Sequence, residues 1–147
     1  MRRSYLLRIV SLLSILIAFV RLAFGIFMIV FFTNAANVEA VPQKMLRFSF
    51  VAFGLILVYV VAMIFCGFHG AVTWDDPPIA IHCFYYGMGT TVIGLVGNLF
   101  QHLSGYPVSG PVWVCSVAMP VLYAVVGLIV FLRYRAYRKK KDAEGRR

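Results

Sequence analysis

Residues Ile9–Phe32 read IVSLLSILIAFVRLAFGIFMIVFF, an apolar run whose one charge, Arg21, falls near its middle. About 20 apolar residues suffice for a helix to cross the ~30 Å hydrocarbon core of a bilayer. An arginine at that depth costs from about 2.5 to more than 10 kcal/mol when it faces lipid, so it turns toward a protein interior and marks a candidate site. Three further apolar runs follow, Phe48–Gly70, Ile79–Leu103 and Val112–Leu132. Together they predict an all-α fold, an integral membrane bundle of four antiparallel transmembrane helices. It forms a single domain over 1–147 with a basic tail over 133–147. A composition of 62% hydrophobic and 13% charged residues lies outside the range of soluble domains.

The net charge is +9, and its placement sets the expected orientation. Arg2, Arg3 and Arg8 precede the first span, and Arg133, Arg135, Arg138, Lys139, Lys140, Lys141, Arg146 and Arg147 follow the fourth. Between spans, Lys44 and Arg47 are the basic residues. The positive-inside rule then places both termini in the cytoplasm. The tail is expected to lie on anionic lipid, each cation adding about 1 kcal/mol of attraction, and no nucleic-acid partner is implied. A cleaved signal peptide is not expected. Such segments hold about 7–15 apolar residues before a small-residue cleavage site, and here the run continues to Phe32.

The connections are short. Thr33–Met45 is polar, with Asn34, Asn37, Glu39 and Pro42, and should face outward. In Ala71–Pro78, Asp76 is expected to cap the third helix with Pro77 in its first turn. Trp74 should lie at the inner interface. Ser104–Pro111, with two glycines and two prolines, reads as a tight outer turn. Pro120 should free the carbonyl of Ser116 and kink the fourth span.

Small residues recur at three- and four-residue spacing in the first span (Ser11, Ser14, Ala18, Arg21, Gly25) and in the third (Gly87, Thr90, Gly94, Gly97, Gln101). Such stripes let helix backbones approach closely, so these two spans are expected to pack on each other. Arg21 lies on its stripe and should point inward. Tyr59, Thr91 (with Thr90 beside it) and Tyr123 stand at the same count from the outer ends of their spans. At ~1.5 Å per residue this is about 16 Å down, which predicts one buried polar layer of Arg21, Tyr59, Thr90, Thr91 and Tyr123. No Asp or Glu falls within a span, which argues against an antiporter that needs a titrating carboxylate.

Cys66 and His69 end the second span and His82 and Cys83 open the third, a C-x-x-H…H-C set that is a weak metal candidate. The three cysteines have no regular spacing and are expected as buried thiols. Asn98, Gln101 and His102 cluster at the end of the third span and read as interfacial capping. Nucleophile elbows, phosphate loops and metalloprotease motifs are absent from the sequence, so no enzyme and no cofactor are implied.

The segments GFHGA (Gly67–Ala71) with DDP (Asp75–Pro77), and PVLYAVVG (Pro120–Gly127), resemble segments of small four-helix integral membrane proteins of Gram-positive bacteria. The chain departs from that pattern in carrying His69 where the family has arginine. The resemblance implies this architecture and a bacterial inner membrane; the family has no established activity to carry over. The expected function is that of a non-enzymatic scaffold or accessory subunit acting by helix packing, as a homodimer or with another membrane protein. The alternative is a small transporter or channel with Arg21 at an anion or polar-substrate site.

Overall fold

A computed structural model describes residues 5–38 and 42–144. Arg2, Arg3, Glu39, Arg146 and Arg147 lie outside the described residues. The described chain is all α: α1 (Tyr5–Val38), α2 (Gln43–Val72), α3 (Ala80–Leu103), α4 (Gly110–Trp113), a π-helical turn (Val114–Ala118) and α5 (Met119–Glu144). The last three form one continuous rod.

The helix limits follow local chemistry. α1 contains no proline and runs 34 residues, past the apolar stretch and through Asn34 and Asn37, before Pro42 introduces α2. Most of the described part of the Thr33–Met45 connection is therefore helical. α2 stops at Thr73, whose N–H and Oγ1 both donate to the carbonyl of His69, at 2.9 and 2.7 Å. The expected aspartate cap on α3 is not formed. Asp76 and Ile79 close two successive backbone turns, and α3 starts at Ala80 without a side-chain cap. The Pro77–Pro78 pair explains the delay, because a proline disfavours helical geometry in the residue before it. At the far end, Gly105 adopts φ +80° and ends α3.

Three stretches are long and apolar enough to cross a membrane: Tyr5–Asn34, Gln43–Val72 and Gly110–Glu144. α3 is not among them. Its apolar residues are diluted by Gly87, Thr90, Thr91, Gly94, Gly97, Asn98 and Gln101, all buried. Large apolar side chains instead cover the outside, Phe27 and Val61 each being 68% exposed. That distribution is the reverse of a water-soluble domain's.

α1 packs on α2 and α5, and α3 packs on α2 and α5, which sets α1 and α3 on a diagonal. Tyr5 and Arg8 lie against Trp74, joining the start of α1 to the α2–α3 turn. At the opposite end Phe31 and Phe32 meet Tyr106. The diagonal corrects the expected pairing of the two stripes. Both are packed, but on other partners. Ser14 and Ala18 are fully buried, and a Cβ on Gly25 would lie 3.0 Å from Ile56 of α2. Gly87 faces α5, where a Cβ would lie 2.7 Å from the Pro120 carbonyl oxygen. Gly94 meets the carbonyl of Ser116 so closely that any Cβ would overlap it, and Gly97 faces Leu55.

Candidate functional site

The rod carries an irregularity next to Arg21. Over Val114–Ala118 the hydrogen bonding widens to the π register, with Met119 N–H donating to the Val114 carbonyl. In that register the next bond would join residue 120 to residue 115, but Pro120 has no N–H. The orphan carbonyl is thus Cys115, one residue before the position expected for a plain α-helix. The hydroxyl of Tyr59 on α2 donates to it. A buried backbone acceptor is satisfied by a side chain from a neighbouring helix.

The same turn presents Ser116 to Arg21. Arg21 is 2% exposed, its Nε donates to Ser116 Oγ at 2.7 Å, and its Nη2 donates to Gln101 Oε1 at 2.9 Å and to Asn98 Oδ1 at 3.2 Å. Gln101 is itself fixed by donating to the Pro107 carbonyl at 3.2 Å. One guanidinium therefore ties α1 to α3 and to the π turn. Its planar fork suits this work, since it serves several acceptors from one rigid head. The partners found for Arg21 among the described residues are neutral. Arg21 Nη1 and Asn98 Nδ2 are buried with no hydrogen-bond partner.

The expected five-residue layer divides in two. Arg21 and Tyr59 share the π turn, whereas Tyr123 donates to the Cys66 carbonyl at 2.7 Å, nearer the chain ends. Thr90 contacts the Cys66 thiol at 3.4 Å and donates to the Tyr86 carbonyl. Thr91 donates within α3 to Gly87. The residues that do hold Arg21, namely Asn98, Gln101 and Ser116, were legible as polar positions but not as partners. Counting depth from the span ends assumes equal overhang, and α1 continues to Val38 while α3 ends at Leu103. Arg21 therefore sits level with the last two turns of α3.

The metal candidates do not assemble. Among the described residues, no three His, Cys, Asp or Glu side chains come together as ligands. Cys66 and Cys83 take buried positions. His69 and His82 sit at the rim, with ring centroids 6.3 Å apart and Tyr86 against both.

Two spaces adjoin the Arg21 cluster. The gap lined by Arg21, Tyr59, Gly94, Gly97 and Ser116 leaves no room for a water molecule. An open groove of about 480 Å³ runs along α3 on the other side, lined by Leu95, Asn98, Leu99, His102, Val108 and Trp113. Asn98 is the one buried residue in that lining. Compared with known protein families, curated proteins and solved structures, the chain matches none.

Proposed function

We propose that this chain is a four-span, antiparallel helical bundle of a cytoplasmic membrane, with both termini in the cytoplasm, and that it works as a non-enzymatic scaffold or accessory subunit. The observation that carries the reading is the buried Arg21 cluster. A cation that costs several kcal/mol to bury is used to join α1, α3 and the π turn, and the gap beside it admits no water. Arg21 in this reading is a structural clamp. α3 becomes the fourth span because its polar face is turned inward and its outer face carries Val92, Leu95 and Leu99. The basic end of α5, Arg133 to Lys141, rests on anionic lipid, and the exposed apolar flanks leave room for a second copy or another membrane protein.

Flux measurements in proteoliposomes separate this reading from a transporter or channel. The scaffold is expected to pass neither chloride nor phosphate above protein-free liposomes. Anion flux that disappears in a well-folded Arg21→Ala variant would overturn it.

A further inference from the structure

The groove beside α3 offers an apolar wall, an exposed histidine and one buried polar residue, Asn98. Asn98 is 2% exposed, and its Nδ2 has no hydrogen-bond partner. Its Oδ1 accepts from Arg21, which draws electron density from the amide and strengthens Nδ2 as a donor. Behind it lies a guanidinium with neutral partners and an unpartnered Nη1. A lining with one spare buried donor and no acidic side chain, backed by a positive charge, is complementary to an anion.

We propose that this groove binds the phosphate of an anionic phospholipid headgroup, with Asn98 donating to it and Arg21 supplying the attraction. A lipid fits better than a free phosphate ion because Leu95, Leu99, Val108 and Trp113 give an acyl chain a surface to lie on. The level fits too. Asn98 lies about 7 Å below the end of α3 at the helical rise of ~1.5 Å per residue, close to where headgroups meet hydrocarbon and where tryptophans collect. The site rests on the membrane reading above but not on the scaffold role.

The chain holds two tryptophans. Trp74 lies at the opposite end of the molecule against Tyr5 and Arg8, so Trp74→Phe leaves Trp113, in the groove, as the sole reporter. The full chain carrying Trp74→Phe is placed in phosphatidylcholine vesicles containing an equal minor fraction of either brominated phosphatidylglycerol or brominated phosphatidylcholine. The anionic lipid is expected to quench Trp113 with about a fivefold preference, the factor for one cation near a charged lipid. That preference should fall to none in Asn98→Leu and in Leu99→Phe, the latter filling the groove from an exposed position without touching the clamp. Neutralising Arg138, Lys139, Lys140 and Lys141 to Gln should leave it intact. Equal quenching by the two lipids overturns the site, as does a preference that survives Leu99→Phe or vanishes in the tail variant. Inorganic phosphate that removes the preference reassigns the groove to the free ion and overturns the lipid. If neither lipid quenches Trp113, the membrane reading falls together with the site.

Discussion

Arg21 and Gln101 are joined by a 2.9 Å hydrogen bond although the helices that carry them are not packing neighbours. The guanidinium bridges the diagonal of the molecule, where backbone contact cannot. Hydrogen bonds to a charged group contribute about 1.5–3 kcal/mol each, and unsatisfied buried partners are costly. Arg21→Ala should therefore destabilise the protein by about 2–4 kcal/mol, read as an earlier thermal transition in detergent. Arg21→Lys should recover part of this, since lysine keeps the charge and loses the fork. Unchanged melting of Arg21→Ala would remove the clamp.

Tyr59→Phe isolates the bond to the π turn. It keeps the ring and leaves the Cys115 carbonyl unsatisfied, with an expected loss of about 0.6–2 kcal/mol, the range for hydrogen bonds between membrane helices. Val61→Leu, on an exposed face of the same helix, should melt like wild type. Equal melting of all three proteins would mean that the Pro120 irregularity needs no partner.

Gly94 tests the contact between α3 and the rod. Gly94→Ala should cost about 1–3 kcal/mol by overpacking, and Gly94→Leu should prevent assembly, because the Ser116 carbonyl occupies the space a side chain needs. Val92→Leu is the matched control, at a position 57% exposed.

Orientation is checked with reporter fusions. A fusion at Ser109 should read as external and one at Trp74 as cytoplasmic. The reverse pattern would invert the molecule, and matching signals at both would remove one span.

The all-α plan and its long apolar helices are visible in the sequence because apolar run length acts over whole helices. The inward turn of Arg21 is legible for the same reason: lipid is a poor solvent for a guanidinium. Its partners are not legible. Asn98 and Gln101 resemble an interfacial cap as long as α1 is taken to end with its apolar run. The helix passing on to Val38 displaces the level at which Arg21 meets α3. The π register is hidden for a different reason. Pro120 announces that a carbonyl must be freed, but whether it is Ser116 or Cys115 depends on Tyr59 from another helix. The histidine and cysteine set misleads because sequence proximity across a turn does not decide which side chains face inward.

The bond between Arg21 and Ser116 spans 95 residues of chain. A ribosome adding roughly 5–20 residues per second needs about 5–20 s to make that distance. Asn98 and Gln101, 77 and 80 residues beyond Arg21, are made earlier, and Ser116 is the last of the three acceptors to appear. The clamp is therefore the last contact of α1 to close, after its packing on α2 can already form. A nascent chain halted after α2 keeps the α1–α2 packing but leaves the Arg21 guanidinium without its three acceptors, and should be cleaved by proteases faster than the full chain.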